Sequence, residues 1–196
     1  TQAYLMEANI ALQQRNEKAA TEWLDKIEEG HAILNVQSLR ATILARQGQL
    51  PQARALIRAV PASTPAQNKL KRRAEIQLLR DAGAPQEAYL LQRTLLDQSP
   101  DDNDIAYDTA ILAEKAGKHD TAEALLRGII ERQPDHYHAY NALGYSMAER
   151  GVRLDEAKAL ISKALELSPN DPFILDSLGW VEFQQGRPAQ ALPLLE

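Results

Sequence analysis

From Tyr137 to Asp171 the apolar positions recur with the period of a helix, not the alternation of a strand. Tyr140, Leu143 and Met147 fall at i, i+3 and i+7 and share one helical face. The pattern breaks at Gly151 and resumes with Ala157, Ile161 and Ala164 on one face, then stops at Pro169. Small Gly144, Ala157 and Ala164 mark where the two helices must approach closely, with Ile161 filling the space between them. The unit then recurs. Second-helix alanines stand at 20, 53, 88, 122, 157 and 191, turn glycines at 48, 83, 117, 151 and 186, and closing prolines at 65, 100, 134 and 169. Three residue classes keep one period of about 34 residues, which is not a chance alignment. The spacing predicts helical hairpins over 1–33, 34–68, 69–102, 103–136, 137–171 and a truncated 172–196.

In the hairpin 137–171, Tyr140, Leu143-Gly144, Met147, Ala157, Ile161 and Pro169 occupy the slots of the pattern W-x2-L-G-x2-Y, A-x3-F, P. The chain therefore resembles the tetratricopeptide repeat family. That resemblance implies an all-α, right-handed superhelical solenoid of about five full hairpins and part of a sixth. A hairpin cannot hide its apolar faces alone, and stacking on its neighbour buries them. Glycine at the turn accepts the left-handed conformation that ends the first helix, and proline at the boundary stops the second.

Taken in order, repeat one has helices expected over 3–14 and 17–29, with Arg15-Asn16 in place of the glycine turn. Asn16 tolerates the left-handed conformation better than most residues. Trp23 is expected to pack against repeat two. In repeat two, Pro61 and Pro65 with Ser63 and Thr64 predict a longer loop over 60–67, the place for a hinge. Repeat three opens on the basic run KLKRR, Lys69–Arg73, while repeat four opens on Asp101, Asp102, Asp104 and Asp108. Arg73 and Arg80 facing Asp104 would make the two helices complementary. In repeat six Pro188 suits a helix start, whereas Pro193 should weaken the last turn.

Composition narrows the functional classes. Hydrophobic residues make 44% of the 196-residue chain and charged residues 25%, as in ordinary folded proteins. No apolar run approaches the ~18 residues of a membrane span. A net charge of −5 argues against nucleic acid as a partner, and the lack of cysteine removes disulfide and thiol chemistry. The histidines are His31, His119, His136 and His138; the pair at 136 and 138 has no second ligand pair at metal spacing. No nucleophile motif and no phosphate-cradling loop occurs, so no catalytic, cofactor or metal site is expected, and the chain is not expected to be an enzyme. Thr1 in place of Met, and a last helix still in progress at Glu196, lead us to expect a fragment of a longer protein.

The functional surface is expected on the first helices. In the family the inner face is lined by positions two, five, nine and twelve of each first helix, and that register transfers as follows. Repeat three contributes Leu70, Arg73, Gln77 and Arg80; repeat four Asp104, Tyr107, Ile111 and Glu114; repeat five His138, Asn141, Tyr145 and Ala148; repeat six Phe173, Asp176, Trp180 and Phe183. Each set keeps the spacing of a single helical face. Aromatics gather in the last three sets although they are scarce elsewhere, and Tyr or Trp beside Asn141, Asp176 and Arg73 resembles a peptide-binding hot spot. Trp180 and Phe183 have a competing reading as surface awaiting a further repeat. The carboxylate clamp of chaperone-binding members, Lys and Asn at first-helix positions, is missing in this register, where Asp108 would repel a carboxylate.

Repeats five and six, YNALGYSMAERGVRLDEAKALISKALELSPNDPFILDSLGWVEFQQGR, also resemble those of proteobacterial tetratricopeptide lipoproteins anchored to the outer membrane. That resemblance implies a periplasmic adaptor, lipid-anchored upstream of Thr1, bringing partners such as cell-wall hydrolases to a carboxy-terminal-processing protease. The alternative is a self-associating scaffold in an envelope export or polysaccharide-secretion apparatus.

Overall fold

The computed structural model describes residues 1–28, 30 and 32–195. Among them the chain forms twelve α-helices and no strand. In order these are α1 (Gln2–Gln13), α2 (Glu17–Leu24), α3 (Ile33–Arg46), α4 (Leu50–Ala59), α5 (Pro65–Asp81), α6 (Pro85–Gln98), α7 (Asn103–Lys115), α8 (His119–Arg132), α9 (Tyr137–Glu149), α10 (Leu154–Leu167), α11 (Pro172–Gln184) and α12 (Pro188–Leu195). Odd and even helices are the first and second arms of the predicted hairpins.

The turns between arms share one local solution, a residue with positive φ. Gly48, Gly83, Gly117, Gly151 and Gly186 hold it, with φ between 66° and 78°. At none of them would a Cβ meet another atom within 4 Å, so backbone conformation, not crowding, selects glycine. In the first hairpin the position falls to Arg15 at φ 57°, not to Asn16 as expected. Asn16 instead caps α2, its Oδ1 accepting the Ala19 N–H at 3.0 Å.

Two other expectations are corrected. The second helix of repeat one ends at Leu24, although no helix breaker stands before Gly30. There i→i+3 bonds from the Lys26 and Ile27 N–H groups tighten the chain, and Asp25 is drawn to Arg40 of α3 at 2.9 Å. The expected end at Glu29 lies outside the described residues, as do His31 and Glu196. The loop expected over 60–67 is shorter, because Pro65 already opens α5. Thr64 caps that helix in a reciprocal capping box with Gln67, and Lys71 Nζ donates to the Arg58 and Val60 carbonyls at 3.1 and 3.0 Å.

The chain divides into two compact units, 1–92 and 93–196, with the boundary inside α6. In the first, α3 packs on α1, α2, α4 and α5. Ala8, Leu12, Ala20, Leu24, Val36 and Ile43 form one core cluster there, and Trp23 packs against it, its ring stacked 5.8 Å from Tyr4 of its own repeat. Ala41, Ala53, Ile57 and Leu78 form another. In the second unit α9 packs on α7, α8, α10 and α11. Its most deeply buried side chains include Ile105, Leu112, Ile129, Leu143, Met147, Ile161 and Ile174. The close approach predicted at Gly144 is present: a Cβ there would lie 2.6 Å from Ile161 Cγ1 and 2.7 Å from the Ala157 carbonyl oxygen.

Candidate protein-binding face

The first arms α7, α9 and α11 lie side by side in the second unit, because each first arm packs on the next. Of the register read from the sequence, Asp104, His138, Tyr145, Phe173, Asp176 and Phe183 are exposed and Tyr107, Ile111, Glu114, Asn141 and Trp180 half-buried. Ala148 is the exception within it: position twelve of α9 is fully buried and belongs to the core.

An aromatic cluster marks one end of this face. The half-buried Tyr107 ring of α7 lies 5.6 Å from His136 and 6.1 Å from His138 at the start of α9. His138 in turn lies 4.0 Å from the Tyr137 ring. Burial, then the neighbouring Asp108 carboxylate, push the Tyr107 hydroxyl above its usual range, so it stays protonated and able to donate. His136, read from the sequence only as a surface residue, caps α9: its Nδ1 accepts the Ala139 N–H at 3.1 Å. That bond fixes the imidazole where its ring lies beside Tyr107, and histidine is not among the usual capping residues, so the sequence carried no signal for it.

Tyr145 and the aromatics of α11 mark the other end. Tyr145 is 37% exposed, and its hydroxyl is pushed up first by burial, then by the carboxylates of Glu149 and Asp176. Glu149 stands one turn further along α9, and Asp176 reaches across from α11. Trp180 stacks on Phe183 with ring centroids 5.6 Å apart. Phe183 is 53% exposed and Phe173, in the first turn of α11, 79%. Asn141 Oδ1 and Trp180 Nε1 are each shielded from solvent with no hydrogen-bond partner among the described residues. Ile111 is half-buried and adds apolar surface.

Arg73, Gln77 and Arg80 are exposed on α5, in the first unit, and Gln77 donates to Asp81 Oδ1 at 2.8 Å along its own helix. Glu114 is tied to His119 at 2.7 Å and to Arg150 at 4.0 Å.

Two family models, both described as tetratricopeptide repeat, match the chain, one over residues 107–172 and one over 34–59 and 175–196. The chain is built of tetratricopeptide repeats. These repeats are protein-interaction modules, which fits an outward face of aromatic and polar side chains. The repeat array is 32% identical over 182 residues to TPR repeat-containing protein PA4667 of Pseudomonas aeruginosa, covering 93% of this chain and 31% of that protein. It thus spans about a third of the curated relative's length. The array shares its fold with a tetratricopeptide repeat protein from Parabacteroides merdae, at a TM-score of 0.64 and 17% identity, covering 98% of this chain and 76% of that one. MamA from Desulfovibrio magneticus is similar at 0.59 and 16%, with 82% and 90% covered. At these identities the two structures speak for the fold alone.

Proposed function

We propose that the array is a non-enzymatic adaptor that holds a segment of a partner protein along α7, α9 and α11. The observation that carries this reading is the exposure of the Tyr145, Phe173 and Phe183 rings on first arms that pack side by side. A rigid face lowers the ordering cost of binding, and Tyr and Trp supply most of the contact energy in such sites. By the similarity of repeats five and six to outer-membrane lipoproteins, the compartment is the periplasm. The partners are then a carboxy-terminal-processing protease and the cell-wall hydrolases delivered to it. An affinity capture from periplasmic extract with the wild-type chain and with Tyr145→Ala/Trp180→Ala tests both parts. A protease or cell-wall enzyme retained by the first bait and lost from the second is the expected result. Equal recovery on both baits would remove the face from the account.

The exposure of Phe173 favours a second reading, self-association within an envelope assembly. Sedimentation velocity separates the two: an oligomer that Phe173→Ser dissociates supports the scaffold, and a monomer at all concentrations excludes it.

A further inference from the structure

We propose that a cavity between α6, α7 and α8 is a binding site for a small organic carboxylate with an apolar body, its carboxylate held by Arg132. The inference goes beyond the protein-binding face and does not depend on it. The cavity has a volume of about 370 Å³, at the small end of the range for ligand pockets, and every residue lining it lies within 93–196. Leu96, Ala106, Leu125 and Gly128 give it apolar walls, and Arg93, Asp97 and Arg132 charged ones. Arg93 Nε donates to Asp97 Oδ1 at 3.0 Å, so those two charges offset each other. Arg132 is different. Arg93, Arg127, Arg150, Arg153 and Arg187 of the same unit each have a carboxylate within 4.0 Å, and among the described residues Arg132 has none. Its guanidinium is held all the same: Nε donates to Asn103 Oδ1 at 2.9 Å, and the Asn103 amide is fixed in turn by donating to Gln133 Oε1 at 3.2 Å. With Nε occupied, the two Nη groups remain as an end-on fork that matches the two oxygens of a carboxylate.

Gly128 fits the same reading. It lies inside α8 without a positive φ, and a Cβ there would meet only Arg132 Nη1, at 3.3 Å. Neither backbone conformation nor helix packing therefore asks for glycine, the least favourable residue in a helix interior apart from proline. At the matching place in the repeat α6 has Thr94 and α10 Lys163. What the absent side chain leaves is room for the guanidinium to lie back along α8 on the cavity wall.

Titration of the isotope-labelled intact chain with phenylacetate, followed by NMR, tests the site. The amides of Leu96, Ala106 and Gly128 should shift saturably with a Kd of about 1 mM, as a ligand of this size allows. Phenylacetamide, which keeps the shape and loses the charge, should bind about tenfold more weakly for want of one charge-assisted bond. Arg132→Gln should bring the acid down to the affinity of the amide. Gly128→Leu, a good helix former that fills the cavity, should abolish binding of both. Arg132 is exposed and Gly128 half-buried, so circular dichroism should show both variants folded, and the arginine variant alone decides the question if the leucine variant is not. No saturable shift at these amides up to about 10 mM, ten times the expected Kd, would overturn the assignment. So would an amide that binds as tightly as the acid, or acid binding that survives Arg132→Gln. A Glu-containing peptide that shifts these amides where phenylacetate does not would give the cavity to a partner protein, and the small-molecule assignment falls.

Discussion

Two glycines at the same place in successive repeats meet different surroundings, and the difference decides what each tolerates. Gly144 and Gly179 both lie where a first arm presses on its partner helix. A Cβ on Gly144 would meet the stiff, fully buried Ile161 side chain and the backbone carbonyl of Ala157. A Cβ on Gly179 would meet Leu195 at 2.7 Å and Leu194 Cβ at 3.2 Å, both in the short helix α12. The exposed Leu195 can turn away, whereas α10 can yield only by moving its backbone. Alanine gains about 1 kcal/mol over glycine in a helix interior. Overpacking against fixed atoms costs about 1–3 kcal/mol. Gly144→Ala is therefore expected to destabilise by about 1–2 kcal/mol, lowering the melting temperature by about 5 °C on the usual scale for such domains. Gly179→Ala should stay within about 0.5 kcal/mol of wild type, since rotating one exposed side chain costs little. Thermal unfolding followed by circular dichroism compares them directly, and equal losses would show that α12 is held as firmly as α10.

Between elements, charged side chains join second arms and turns of successive hairpins. Arg153 donates to both Glu123 oxygens, and Arg127 bridges Glu123 and Glu156. In the first unit the buried Glu75 carboxylate accepts from Arg54 and Arg58 at 2.8 and 2.9 Å. Burial raises that carboxyl, but the two guanidinium groups outweigh it and hold it below its usual range. Glu123 is held lower still: the hydrogen bonds from Arg153, then from Arg127, take it from 4.5 to about 2 against a smaller opposing effect of burial. Its folded value lies below its unfolded one, so the stabilisation is complete above pH 4.5 and is lost as the pH falls towards 2. The expected outcome for Glu123→Gln is a lower melting temperature than wild type at neutral pH. The gap between the two should close across that acidic window, and a gap that does not change with pH would show the carboxylate carries no such linkage. Hairpins, glycine turns and proline boundaries were all legible in the sequence because each is a local requirement repeated at a fixed period. These ion pairs were not, because they depend on which helix faces which. Opposite charges about one repeat apart, such as Glu123 and Arg153 thirty residues on, were the available signal. The early end of α2 was likewise hidden, since no breaker stands at Asp25, where the chain tightens into i→i+3 bonds and meets Arg40 of the next hairpin.

Over the whole chain, repeats interact chiefly with their neighbours, so a change in one hairpin should fade within a repeat or two. The division at α6 sharpens this expectation, because the two compact units lie on opposite sides of Gln92-Arg93. The candidate site residues read from the sequence fall on both sides of it. Family register carried Tyr107, Asn141, Tyr145, Asp176 and Trp180 onto neighbouring helices of one unit but assigned Arg73, Gln77 and Arg80 to the other. A periodic sequence places residues within a repeat and says nothing of where compactness breaks. Two substitutions test the division. Arg15 takes the left-handed turn conformation that glycine holds in the other five hairpins, at φ 57°. Arg15→Gly removes about 1 kcal/mol of backbone strain, part of which the greater freedom of glycine in the unfolded chain takes back. Net, native-state hydrogen exchange should slow a few-fold in α1 to α3, with α9 to α11 untouched. Gly144→Ala should speed exchange about tenfold in α9 to α11, the factor that ~1.4 kcal/mol represents, and leave α1 to α3 as they were. If either substitution shifted protection evenly from α1 to α11, the array would open as one cooperative body. The boundary inside α6 would then mark a thinning of contacts with no consequence for stability.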